Sequence, residues 1–203
     1  ITNGTLTINP ASVTLTANSG TETYDGNEKT VTGFTSNVKG LTFAESVTAS
    51  GSGTNAGSYD VTFSGVTVNE TKDSTGKYII TEIVDGALTI NPIEEEYVIT
   101  ITGKSDTATY DGQNHSVNGY TVSDHDATIV IEGPAQDDEA ATASGVTATT
   151  HTMALSADDF TVTAPNYTNV KLNVVPGTMT IGKATIEIGV TGHTGTETYN
   201  GEE

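Results

Sequence analysis

Tyr24-Asp25-Gly26 recurs as Tyr110-Asp111-Gly112 and again as Tyr199-Asn200-Gly201, at spacings of 86 and 89 residues (110 − 24 and 199 − 110). A second marker keeps step with the first. Gly4-Thr5-Leu6-Thr7-Ile8-Asn9-Pro10 returns as Gly86-Ala87-Leu88-Thr89-Ile90-Asn91-Pro92 and, altered, as Gly177-Thr178-Met179-Thr180-Ile181-Gly182-Lys183. Self-similarity at a fixed period marks an array of like units. Units of this length are large enough to hold one core each. The markers divide the chain four ways. Residues 1–10 read as the closing strand of a preceding repeat, 11–92 and 93–183 as two complete repeats, and 184–203 as the opening segment of a following one.

Alternation of apolar and hydroxyl side chains runs through both complete repeats. Ser12-Val13-Thr14-Leu15-Thr16, Tyr59-Asp60-Val61-Thr62-Phe63, Tyr97-Val98-Ile99-Thr100-Ile101-Thr102, Thr128-Ile129-Val130-Ile131 and Phe160-Thr161-Val162-Thr163 all show it. A period of two predicts half-buried strands, and β-branched residues favour the pleated surface. No stretch has helical periodicity. Asp25-Gly26, Asp85-Gly86, Asp111-Gly112, Asn118-Gly119 and Asn200-Gly201 read as turns, glycine supplying a positive φ. Short strands between frequent turns predict an all-β chain of sandwich domains. In this reading Tyr24 and Tyr110 anchor strand ends in the core. Asn91-Pro92 ends a strand and leaves almost no linker before the second repeat.

The chain has 7 basic and 26 acidic residues and a net charge of −19. Such a charge repels nucleic acid and anionic membrane surfaces, and it keeps a crowded rod soluble. No apolar run approaches the roughly 20 residues that cross a bilayer. Neither nucleic-acid binding nor direct membrane insertion is expected. No cysteine is present to form a disulfide or a thiolate metal site.

The Tyr-Asp-Gly start, the internal Asn55-Ala56-Gly57-Ser58-Tyr59-Asp60-Val61-Thr62 and the closing Gly-x-Leu-Thr-Ile strand resemble the MBG/YDG-type repeats. These are immunoglobulin-like β domains found in tandem in large bacterial surface, adhesin-like proteins. The resemblance implies immunoglobulin-like sandwiches, an extracellular or cell-surface location and a stalk, fibre or adhesion role. It implies no catalytic residues and no cofactor. Implied partners are neighbouring repeats, other copies of the chain, or a surface ligand on a host. The second repeat departs from the pattern, with Thr149-Thr150-His151-Thr152-Met153-Ala154-Leu155 where the first has Asn55-Ala56-Gly57-Ser58-Tyr59, and with an acidic insertion, Asp137-Asp138-Glu139.

No nucleophile elbow, phosphate-cradling loop or dinucleotide fingerprint is present, so no enzyme activity is expected. Asp124, Asp126, Asp137, Asp138 and Glu139 are the candidates for a divalent cation such as Ca2+, without the spaced carboxylates of a known calcium loop. Lys104 and Asn173 are the pair for an isopeptide crosslink. Two rival readings are a glycan- or protein-binding module, which needs exposed aromatic platforms or a concave polar site, and an accessory repeat of a secreted enzyme.

Overall fold

The computed structural model describes residues 3–202. The chain is all-β: among those residues there are eighteen strands, one three-residue 3-10 turn at Ala157–Asp159 and no α-helix. Eight strands fall in the first sequence repeat: β1 (Ala11–Ala17), β2 (Gly20–Thr23), β3 (Lys29–Thr32), β4 (Phe34–Ser36), β5 (Thr48–Gly53), β6 (Gly57–Ser64), β7 (Tyr78–Val84) and β8 (Gly86–Asn91). Ten follow: β9 (Tyr97–Gly103), β10 (Asp106–Thr109), β11 (His115–Asn118), β12 (Tyr120–Val122), β13 (Val130–Glu132), β14 (Thr142–Gly145), β15 (Thr150–Thr152), β16 (Thr161–Thr163), β17 (Val170–Val175) and β18 (Thr178–Gly182).

By contact the chain divides into two compact units. One runs up to Ile99 and adds Ser123–Gly133 and Phe160–Asn173. It therefore takes in the first repeat and three stretches of the second. Its strands form a three-stranded sheet, β4-β1-β7, a five-stranded sheet, β2-β8-β6-β5-β3, and the β13-β16 pair. The alternation in β1 and β7 sends Val13, Leu15 and Ile80 inward at 0% exposure, against Phe34, Phe43 and Phe63. Leu88 and Ile90 of β8 join Ala17, Tyr24, Ala49 and Val61 in a second cluster. Each buried valine, leucine or isoleucine among them contributes about 2 kcal/mol by leaving water.

The other unit comprises Thr100–Val122, Pro134–Asp159 and the chain from Val174 on. Here β18 lies between β10 and β15, and β11 pairs β14. The registers repeat those of the first repeat. Parallel Gly20–Leu88 pairing in β2 and β8 has its match in Asp106–Met179 of β10 and β18. Antiparallel Tyr59–Leu88 corresponds to His151–Met179, and Lys29–Gly53 to His115–Gly145.

Three expectations are corrected. Asp85-Gly86 is not a positive-φ turn, whereas Gly26, Gly112, Gly119 and Gly201 lie at φ 82°, 81°, 90° and 88°. Gly86 instead opens β8, where a Cβ would sit 2.1 Å from the Asn18 carbonyl oxygen. Gly177 repeats this 2.0 Å from the Lys104 oxygen. Close backbone approach, not turn geometry, demands glycine there. Substituting alanine at Gly86 should lower stability by about 1–3 kcal/mol, as overpacking does; an unchanged denaturation midpoint would count against the close approach.

The strand expected from Thr128 starts only at Val130, because the Asp126 side chain caps the Thr128 N–H. The strand patterns at the two ends form no ladder. Residues 3–10 and 183–202 carry no strand, and Leu6, Ile8, Ile186, Ile188 and Val190 are 77–89% exposed. The like sequence in β8 is a strand because β2 and β6 bond its two edges.

Candidate functional site: a hydrogen-bonded joint between the sequence repeats

The most connected polar site lies where the first repeat passes into the second. Asp126 sits at its centre. Its Oδ1 accepts from the Thr128 hydroxyl at 2.6 Å and the Thr128 N–H at 2.8 Å. Its Oδ2 accepts from the Tyr167 hydroxyl at 3.0 Å. The Tyr24 hydroxyl, from the first repeat, points between the two oxygens at 3.2 and 3.4 Å. The Asp126 N–H donates to the Tyr97 oxygen at 3.1 Å. The rings pack as well: Tyr24 meets Tyr167 edge-on at 5.9 Å, and Tyr97 meets Tyr167 at 4.8 Å. Edge-on rings add to the burial of their faces.

A second set of bonds runs through Asn166, which is 0% exposed. Its Oδ1 accepts the Ala56 N–H at 2.7 Å. Its amide donates to Asn55 Oδ1 at 3.1 Å and to the Thr128 oxygen at 3.0 Å. Its carbonyl accepts the Ile93 N–H at 2.9 Å, and the Ile93 carbonyl in turn accepts the Thr168 N–H at 2.9 Å. The short connection after Pro92 is thus pinned by the turn between β16 and β17 that bears Asn166 and Tyr167. No buried side-chain polar atom among the described residues lacks a partner. A satisfied network of this kind fixes one geometry.

The charge of Asp126 is held by its donors. Bonds from Thr128, with those from Tyr167 and Tyr24, draw its pKa below the usual carboxylate value despite partial burial. Burial first, then the hydrogen bond to Asp126, pushes the Tyr167 phenol up to about 12. The signs differ. A depressed folded carboxylate pKa stabilises above its unfolded value, near 4, and that stability fades as pH falls through the folded value. A raised folded phenol pKa stabilises below about 10, and this is lost as pH rises toward 12. Stability from these two groups should be flat between about pH 4 and 10. Urea denaturation of the chain and of Asp126→Asn should diverge in that range and converge at acid pH; a constant gap down to pH 2 would contradict the assignment.

The other motif residues fall into two states. Tyr24 is buried, as expected, and Asp25 and Gly26 turn the chain after it, Asp25 Oδ1 accepting the Asn27 N–H at 2.9 Å. Tyr110 departs from expectation: it is 44% exposed. Tyr24 is covered by Asp126 and Tyr167 rather than by its own strand alone, and no such pair stands over Tyr110. Asp111 and Gly112 make the same turn, with Asp111 Oδ1 accepting the Gln113 N–H at 2.8 Å. Tyr199 is 84% exposed, beside Asn200 and Gly201.

Of the carboxylates considered for a cation, Asp126 is taken up by the joint, and Asp124, Asp137, Asp138 and Glu139 are exposed. Among the described residues, no three His, Asp or Glu side chains converge as metal ligands would. Lys104 and Asn173 are both exposed, which removes the low-dielectric surroundings an isopeptide condensation uses. The paired rings of the structure (Tyr24, Tyr97, Tyr167, Phe34, Phe43 and Phe63) are all buried or half-buried. They offer no exposed stacking platform for a glycan. The comparisons found no match for the chain among protein-family models, curated proteins or solved structures.

Proposed function

We propose that this chain is a structural segment of a long extracellular bacterial surface protein, a stalk or fibre that supplies reach for adhesion. It is built of tandem immunoglobulin-like sandwiches and works without catalysis. The observation that carries the reading is the Asp126 joint. A flexible tether needs no buried side-chain network at the passage from one repeat to the next, whereas a stiff rod does. The joint draws Tyr24, Asn55 and Ala56 from one repeat and Tyr97, Asp126, Asn166 and Tyr167 from the other. The resemblance of the Tyr-Asp-Gly and Gly-x-Leu-Thr-Ile markers to MBG/YDG-type repeats supports a surface location. The net charge of −19 supports a soluble chain whose repeats repel one another.

Antibodies raised against the chain should label intact cells that make the parent protein. Labelling that requires lysis would overturn the surface reading. Mechanical stretching of the chain between its ends should show force peaks well separated from the first extension. A featureless entropic rise would contradict a segment built to resist pulling.

A further inference from the structure

We infer that the exposed end of the second repeat around Tyr110 is a docking surface for one further repeat that carries an Asp126–Tyr167 pair. A copy of the first repeat does not fit it. The inference rests on the tandem reading above and adds a rule about which repeat follows which.

Tyr24 and Tyr110 are prepared in the same way. Each follows a strand paired in parallel with the closing strand of its repeat. The Tyr24 N–H donates to the Asn91 carbonyl at 2.9 Å, and the Tyr110 N–H to that of Gly182 at 2.8 Å. A left-handed glycine stands two residues on in both, and the intervening aspartate pairs with a basic side chain four residues later: Asp25 with Lys29, Asp111 with His115. The neighbouring loop is also held alike. The Tyr59 hydroxyl donates to the Asn55 carbonyl at 2.9 Å, while His151 Nε2 lies 3.1 Å from the Thr147 carbonyl. The covering differs: Tyr24 is 6% exposed and Tyr110 44%. Tyr110 is the same half of the joint without its complement.

The complement is specific. What covers Tyr24 is a carboxylate that accepts its hydroxyl and a tyrosine ring against its edge. Register places the first repeat's residues at those positions. Ser36 pairs with Leu15 as Val122 does with Ile101, so Gly40 occupies the place of Asp126. The Ala11 N–H bonds the Lys77 carbonyl as the Tyr97 N–H bonds that of Asn169, so Ser74 and Thr75 occupy the places of Asn166 and Tyr167. The Thr42–Ser74 hydroxyl contact at 2.6 Å stands where Asn166 bonds Thr128. A first-repeat copy therefore brings neither carboxylate nor ring to Tyr110. A second-repeat copy brings both, and its Asn166 would meet Thr147 in place of Asn55.

Two extended chains test this. In one, residues 1–183 are followed by a second copy of 93–203, with the appended copy's Tyr110 changed to Phe so that a single Tyr110 is read. In the other, residues 1–183 are followed by a copy of 11–92. Acetylation of tyrosines by N-acetylimidazole is read by peptide mass spectrometry, with the 203-residue chain as reference. Tyr110 should react about tenfold more slowly in the first extended chain, as a ring released only by local opening. Asp126→Ala in the appended copy alone should restore its reactivity. In the second extended chain Tyr110 should react as in the reference. Equal reactivity in the first extended chain and the reference, or equal protection in both extended chains, overturns the inference. Should Tyr24 react as fast as Tyr110 in the reference chain itself, it is the joint and the rod reading that fail instead.

Discussion

Tyr24→Ala should destabilise the chain by about 3 kcal/mol, at the lower end of large aromatic truncations, whereas Tyr110→Ala should cost under about 1 kcal/mol. The two tyrosines share a motif, and the difference between them isolates the joint. Tyr24 is 6% exposed, belongs to the cluster of Val61, Leu88 and Ile90, and gives its hydroxyl to Asp126. Its removal opens a cavity between the Tyr167 ring and that cluster and takes one donor from a charged acceptor. Tyr110 keeps 44% of its surface in water, so truncation removes little burial. Tyr24→Phe separates the two parts of the effect. It keeps the packing and should cost only the hydrogen bond, about 1 kcal/mol. Equal losses for Tyr24→Ala and Tyr110→Ala would show that the motif is a core anchor in both repeats and that the joint adds nothing.

Asn166→Ala should cost about 3 kcal/mol, an unusually large loss for a polar side chain. Asn166 is 0% exposed, and its amide satisfies three groups at once: the Ala56 N–H, Asn55 Oδ1 and the Thr128 hydroxyl. Truncation strands the Ala56 donor away from water and leaves a hole that a methyl group does not fill. Asn166→Asp is the informative partner. The side chain has nearly the same shape, and it replaces a donor to Asn55 and Thr128 with a second carboxylate near Asp126. It should be at least as damaging at pH 7 and recover toward acid pH, where the new carboxyl is protonated. A loss below about 1 kcal/mol for both variants would mean that the loop of Asn55 and Ala56 moves freely from Asn166.

The strands were legible because their information is local. Val13 and Leu15, Val61 and Phe63, and Ile99 and Ile101 announce one inward face by simple alternation, and the structure builds β1, β6 and β9 over them. The turns at Gly26 and Gly112 were legible for the same reason. The joint was not, because it depends on side chains that sequence separates by up to 111 residues, as in the Asn166–Asn55 bond. Asp126 stands out in the sequence only as one of several carboxylates, and no local pattern marks Asn166 or Tyr167. A signal did exist. Aligning the repeats by their Tyr-Asp-Gly marker sets Asp126 against Gly40, a change of charge two residues before a threonine common to both repeats, Thr42 and Thr128. The burial expected for Tyr110 failed on the same ground: the motif sets the backbone, but what covers the ring comes from the next repeat. Gly86 does not make the turn its Asp-Gly dipeptide suggests, since a near backbone oxygen leaves no trace in the residues beside it.

The central claim is that the Asp126 joint fastens the first sequence repeat to the stretches of the second that share its compact unit. Residual dipolar couplings of backbone amides in a dilute aligning medium test it directly, because each repeat reports its own alignment. The account predicts that residues 11–92 and the stretches 93–99, 123–133 and 160–173 of the unaltered chain yield alignment tensors of the same magnitude and rhombicity. In Asp126→Ala the two tensors should separate while the couplings within each repeat still fit their own fold. Tensors that already differ in magnitude in the unaltered chain would show repeats that tumble independently, and would contradict the claim.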